Sequence, residues 1–84
     1  MGDNFLGDVR AMSFNFAPRG WALCNGQILP VGQNPALFAL LGSRYGGDGK
    51  TSFGLPALPP VAAQNGAVLR YCIALQGIFP THGD

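Results

Sequence analysis

Glutamate is absent from this 84-residue sequence, lysine and histidine occur once each, and charged residues make up only 11% of it, against roughly 25% in an ordinary soluble domain. Four Asp, four Arg and one Lys leave a net charge of +1. The basic residues form no cluster, which argues against an electrostatic nucleic-acid binder. No apolar run approaches the roughly 18 residues needed to cross a bilayer, so no membrane insertion is expected. The start, Met1-Gly-Asp-Asn-Phe, has neither a basic nor an apolar stretch, so no secretory signal peptide is expected and any export route stays unknown. Leu6 stands where a myristoylation signal needs Ser or Thr.

Catalytic groups are equally scarce. His82 sits near the C-terminus, where fraying is expected. Four scattered Asp and no Gly-x-Ser-x-Gly give no nucleophile a base. Neither Cys has a partner at metal-ligand spacing. Gly46-Gly-Asp-Gly-Lys-Thr51 resembles a phosphate loop, but Arg44 stands where that pattern needs Gly, and Thr51-Ser-Phe-Gly-Leu-Pro cannot open the helix that would hold the phosphate. The expectation is a non-enzymatic protein with no catalytic residue, metal or cofactor.

What the chain does have is 48% hydrophobic residues, 13 Gly and 7 Pro, with a mean hydropathy of +0.21. Area scaling for this mass buries about 60–65% of the unfolded surface, enough for one thin core and a single domain over residues 1–84. Low charge on so small a chain suggests surface covered by other subunits, because interfaces are poor in Lys and Glu and rich in aromatics and Arg. A monomer with a Gly, Ser and Asn surface is the alternative.

The frequent Gly and Pro exclude long helices. Residues 7–14 alternate weakly, as a strand does. Trp21–Cys24 and Gln27–Leu29 read as strands joined by Asn25-Gly26, the strongest short hairpin signal. Asn34 as N-cap, Pro35 at the first helical position and Gly42 as stop bound a helix over about 35–41. Being apolar all round, it should be buried on most sides. Residues 43–54 form a Gly-rich loop, and 55–60 is extended because each residue before Pro avoids the helical region. Val68–Gln76 is the best strand, with a central, two-sided buried position expected. The fold class is α+β, mostly β.

Trp21, Cys24, Leu37, Phe38, Leu40, Leu41, Tyr71 and Cys72 are the expected core. Cys24 and Cys72 read by default as two reduced core thiols, with a disulfide as the alternative if their strands are adjacent and the compartment oxidising. Trp21, Phe38, Tyr45, Phe53 and Tyr71 could instead line a sugar-binding surface, though aromatics among Leu and Val are more often core. Phe5 with Leu6, and Ile78 with Phe79, place adjacent large apolar side chains in Gly- and Asp-rich ends. At least one such arm is expected to cross a subunit boundary, with Phe5 or Phe79 as anchor.

Phe5-Leu-Gly-Asp-Val-Arg10, Asn15-Phe-Ala-Pro-Arg-Gly-Trp-Ala-Leu-Cys-Asn-Gly-Gln27, Gln33-Asn-Pro-Ala-Leu-Phe-Ala-Leu-Leu-Gly42, Tyr45-Gly-Gly-Asp-Gly-Lys-Thr51 and Phe53-Gly-Leu-Pro56 together resemble the phage tail collar domain. This is the module of short tail fibres and of bacterial proteins labelled microcystin-dependent. The likeness covers about residues 5–56, followed by a linker at 57–67 and a C-terminal strand segment at 68–80 that also resembles those proteins. It implies a structural module of trimeric fibres and tail-associated appendages, located in the virion tail or an extracellular appendage, with no catalytic residues to carry over. Implied partners are the chain itself, as trimer or polymer, and other tail or fibre proteins. Relatives usually follow the Leu-Pro with Asp-Leu-Arg-Gly-Arg and a long receptor-binding region. Here Ala57–Gly66 runs almost directly into the last strand, which leaves assembly as the expected activity. A small glycan- or protein-binding adhesion module is the alternative, using Arg44, Tyr45, Asp48 and Lys50 of the Gly-rich loop.

Overall fold

The computed structural model describes residues 4–13 and 16–80. Phe14, assigned above to the first strand, Asn15 of the motif and His82 lie outside the described residues. The chain runs β1 (Val9–Met12), β2 (Trp21–Leu23), β3 (Ile28–Pro30), a 3₁₀ turn (Val31–Gln33), α1 (Pro35–Leu41), β4 (Ser52–Gly54), β5 (Val61–Ala62) and β6 (Val68–Ala74). The architecture is α+β and mostly β.

The long β-branched and aromatic run becomes β6, the strand around which the larger sheet is built. β1 lies on one side of it (Val9↔Ile73 to Met12↔Arg70) and β2 on the other (Trp21↔Ala74 to Leu23↔Cys72). Two-residue β5 pairs with its first residues. All of these pairings are antiparallel. The strand stops at Ala74, short of Gln76, although the Leu75 N–H still donates to the Gly20 carbonyl at 2.7 Å in register with the β2 ladder.

The Asn25-Gly26 hairpin does not form. β2 pairs with β6 while β3 pairs with β4 in a second, two-stranded sheet, so the segments flanking the dipeptide are not each other's partners. A type I′ turn needs positive φ at both central residues. Gly26 has φ +82°, but no non-glycine residue among those described has positive φ. The Asn25 carboxamide instead accepts from the Gln27 N–H at 3.1 Å, a local turn native to Asn. Gln27 closes the corner by donating Nε2 to the Leu23 carbonyl at 2.8 Å. Residues 21–30 are therefore one extended segment that pairs with β6, pivots, and continues against residues 52–57 through Asn25↔Ala57 and the β3–β4 ladder.

α1 forms where expected, with Pro35 in its first turn and Gly42 (φ +63°) at its end. The cap differs, because the Asn34 side chain makes no capping bond and donates to the Pro30 carbonyl at 3.1 Å. This ties the helix entrance to the preceding 3₁₀ turn. Burial of the helix is one-sided, contrary to expectation. Leu37 is fully buried, Phe38, Leu40 and Leu41 are half-buried, and Ala36 and Ala39 face outward.

Opposite partners in a sheet share a face, and neighbours along a strand alternate. One face of the larger sheet, carrying Ala22, Cys24 and Ile73, meets Leu6, Leu37, Phe53 and Leu55 to form the core, with Leu29, Val31, Phe38, Leu40, Leu41, Tyr71 and Leu75 packed around it. Phe38 lies against Phe53 with ring centroids 5.4 Å apart, a tilted contact typical of aromatic pairs. Trp21 corrects the expected core list, because it sits half-buried on the other face with the Arg10 guanidinium 5.7 Å from its ring centroid. Cys72 is buried too, but in the row Arg10–Cys72–Leu23 of that same outer face. The two thiols thus project from opposite sides of the sheet. They are free, and the register argues against the alternative of a disulfide even though β2 and β6 are adjacent.

Candidate functional site

Residues 43–54 fold into a lariat held by one carboxylate. Asp48 Oδ1 accepts from the backbone N–H groups of Lys50 (2.8 Å), Thr51 (2.8 Å) and Ser52 (2.9 Å), and Oδ2 accepts from the Thr51 hydroxyl (2.8 Å). The Ser52 hydroxyl in turn accepts from the Asp48 N–H at 3.1 Å. The Thr51 carbonyl, at 2.9 Å, anchors the loop to Val31 of the 3₁₀ turn. These donors, the Lys50 N–H foremost and then those of Ser52 and Thr51, hold the Asp48 carboxyl well below the usual carboxylate range. Asp48 is therefore the internal anchor of the loop, whereas Arg44, Tyr45 and Lys50 present exposed side chains.

A lowered folded-state pKa contributes stability above the ordinary carboxylate range, near about pH 4, and loses it as the pH falls. Asp48→Ala should therefore accelerate amide exchange at Lys50, Thr51 and Ser52 by at least about tenfold at neutral pH. In the wild-type protein the same protection should fade only as the pH drops below about 4. Unchanged exchange in the variant would show that the carboxylate does not hold the loop.

The chain ends meet. The Leu6 N–H donates to the Ile78 carbonyl at 2.8 Å, the Ile78 N–H to the Asn4 carbonyl at 3.1 Å, and Asn4 Nδ2 to the Gln76 carbonyl at 2.9 Å. Phe5 and Ile78 are parallel bridge partners and so stand side by side. Leu6 corrects the expected arm interface, because its side chain fills the core, 5% exposed. Phe5, Ile78 and Phe79 are left about half exposed, an unusual concentration of large apolar groups held on ordered backbone.

A groove of about 200 Å³ opens between the β2–β6 ladder and the segment after β4, lined by Leu23, Cys24, Asn25, Leu58, Pro60, Arg70 and Tyr71. Burial pushes the Cys24 thiol up to about 11, with Cys72 adding to the effect, and burial raises Cys72 as well. Both are protonated at neutral pH and poor nucleophiles. Among the described residues no three His, Cys, Asp or Glu side chains gather as a metal would require. No described helix is long and apolar enough to cross a membrane.

Neither the Asp48 anchor nor the groove was evident from the sequence. The Asp-Gly-Lys-Thr-Ser run carried a readable signal for the first, since Asp before Thr and Ser commonly caps its own turn. The groove carried none, because its walls come from three distant stretches. Against known families, residues 7–60 match the phage tail collar domain. No curated protein and no solved structure gave a significant match.

Proposed function

The chain belongs to the phage tail collar domain family, and on that premise we propose that it is a non-enzymatic subunit of a tail fibre or tail-associated appendage that assembles with copies of itself through Phe5, Ile78 and Phe79. The observation that carries this reading is the docking of the two ends. Ordered backbone presents three large apolar side chains that the chain's own core does not use. Burying them between copies would release apolar surface from water, with only 11% charged residues in the chain to oppose close approach. The arms are bonded to each other, so the proposed contact is a preformed patch rather than an exchanged tail. The adhesion reading is weakened by the Asp48 geometry, which takes the only acid of the loop out of ligand contact.

Sedimentation velocity over about 1–100 µM tests the proposal. The wild-type protein should run as a trimer or larger, and the double variant Phe5→Ser/Phe79→Ser should run as a monomer with an unchanged far-ultraviolet spectrum. A wild-type protein that stays a folded monomer across that range, or a double variant that assembles as before, would overturn it.

A further inference from the structure

Among the described residues, every strand edge but one is closed or blunted by its own chain. Alternate residues of a strand turn their N–H and C=O groups to opposite sides. On the outward side of β2, the Trp21 N–H donates to the Pro18 carbonyl at 3.0 Å, and the Leu23 carbonyl accepts from Gln27 Nε2. β3 ends in Pro30, which has no N–H and whose carbonyl accepts from Asn34. Gly54 of β4 donates to Gly46, and two-residue β5 follows Pro59-Pro60. Prolines, short strands and covering contacts keep sheet edges from pairing with other chains.

β1 has no such device. The Ala74 N–H donates to the Asp8 carbonyl at 2.8 Å, and the pairs Arg10↔Cys72 and Met12↔Arg70 continue that alternation. The N–H and C=O groups of Val9 and Ala11 therefore point away from β6. β1 is the last strand on its side of the sheet, and no described residue bonds to those groups. Val9, Arg10 and Ala11 are all exposed. The chain leaving β1 runs to β2 on the far side of β6, away from this edge.

The charges beside the edge select its partner. Asp8 and Arg10 touch at 3.5 Å, with the Arg10 side chain still 53% exposed. Antiparallel pairing with a second copy can place a two-fold axis at Arg10, Ala11 or Val9. An axis at Arg10 sets Arg against Arg, and like charges directly opposite are destabilising. An axis at Ala11 sets Arg10 against Met12 and leaves its charge unanswered. An axis at Val9 sets Arg10 of each copy opposite Asp8 of the other and brings the exposed Val9 side chains together. Asp8-Val-Arg10 is thus self-complementary about its central residue. We propose that β1 pairs antiparallel with β1 of a second copy, with Val9 facing Val9 across a two-fold axis.

This contact uses none of Phe5, Ile78 and Phe79 and stands without that patch. Alone it is weak, and a two-fold contact by itself closes at a dimer. Together with the apolar patch it links copies further, because copies already held together meet at a raised effective concentration.

Val9→Cys tests the pairing by trapping it, since the native thiols are buried and free and react poorly. Facing residues of a hydrogen-bonded pair have Cα atoms about 5.5 Å apart, within disulfide reach. Ala11→Cys is the control, because in this register its two copies stand about 13 Å apart, too far to bridge. In a glutathione buffer Val9→Cys should form a disulfide dimer at least about tenfold faster than Ala11→Cys. It should do so in the Phe5→Ser/Phe79→Ser background as well, so failure of this contact and failure of the apolar patch are told apart. A Kd on the order of 1 mM keeps that background monomeric in sedimentation at about 100 µM yet leaves the contact open to trapping. Asp8→Arg in the Val9→Cys protein sets Arg against Arg and should slow trapping at least about tenfold. Mixing it with Arg10→Asp/Val9→Cys should restore trapping as a heterodimer, resolved by mass spectrometry. Far-ultraviolet spectra should match the wild type throughout.

Equal rates for Val9→Cys and Ala11→Cys, or homodimers favoured in the mixture, would overturn the proposal. Absence of the disulfide would overturn it too. Protected Val9 and Ala11 amides in that case would assign the edge to the chain's own ends, and unprotected ones would leave it to a strand of a different protein.

Discussion

Gly54→Ala is expected to lower the melting temperature by at least about 10 °C. Gly54 is the last residue of β4 and is buried. Its N–H donates to the Gly46 carbonyl at 2.9 Å, and this cross-link closes the lariat against the core. A Cβ built there would press into the Tyr45 carbonyl and lie 3.0 Å from Gly46 Cα. Both obstacles are backbone, so no rotamer change relieves them. Either the loop is pushed off β4 or Phe53 and Leu55, the fully buried neighbours on each side, shift with the strand. Overpacking of this kind costs about 3 kcal/mol or more. A chain of this length commands only about 4–12 kcal/mol in total. Thermal denaturation followed by circular dichroism checks it. A cooperative transition within a few degrees of the wild type would mean the loop does not pack as closely as described.

Leu37→Asp should be more damaging, for a different reason. Leu37 is the one fully buried residue of α1, 1% exposed, and it is the pin by which a two-turn helix holds to the core. Such a helix has no stability of its own. Truncation alone, as in Leu37→Ala, should cost about 2–5 kcal/mol. A carboxylate there would add the cost of an unpaired buried charge, so the variant should be recovered unfolded or aggregated. Leu41→Asp is the internal control. Leu41 is half-buried, its carboxylate can reach water, and the variant should remain folded with a lowered melting temperature. Equal tolerance of both substitutions would show that the helix does not dock through Leu37.

The elements that were legible in the sequence are those specified locally. β6 is a seven-residue run with no breaker, and α1 is bracketed by Asn34-Pro35 and Gly42, so neither depends on distant partners. The collar resemblance over residues 5–56 agrees closely with the matched span 7–60. Where the outcome depended on pairing, the reading failed. Asn25-Gly26 has the composition of a hairpin turn, but β2 finds a better partner in β6 and β3 in β4, and nothing within a few residues of the dipeptide states this. Leu55 was absent from the expected core because Gly54 and Pro56 make that stretch resemble a loop, whereas Phe53 was read as core with the other aromatics. Leu6 lies in a Gly- and Asp-rich end whose apolar pair is expected at a subunit boundary, yet its side chain reaches the core. Trp21 was assigned inward because tryptophan is usually buried, whereas the register with Ala74 turns it outward. The loop residues Arg44, Tyr45, Asp48 and Lys50 are neighbours in sequence, but the role of Asp48 is set by backbone donors that no side-chain motif records.

The position of β6 governs the order in which the molecule can be made. β1 and β2 are laid down early in the chain, yet neither pairs with the other, and both wait for Val68–Ala74. During synthesis at roughly 5–20 residues per second, the first two-thirds of the chain emerges with these strands unpaired. Only the β3–β4 ladder and α1 are complete by residue 54. The arrival of the last strand then closes three pairings, those with β1 and β2 over long sequence separations, which makes folding slow relative to chains built from local contacts. Until that moment Val9, Leu23 and Trp21 stand on open strand edges, the kind of surface that invites premature association with neighbouring nascent chains. A protein proposed to work as a multimer would then be most vulnerable to mispairing just before its own fold is completed.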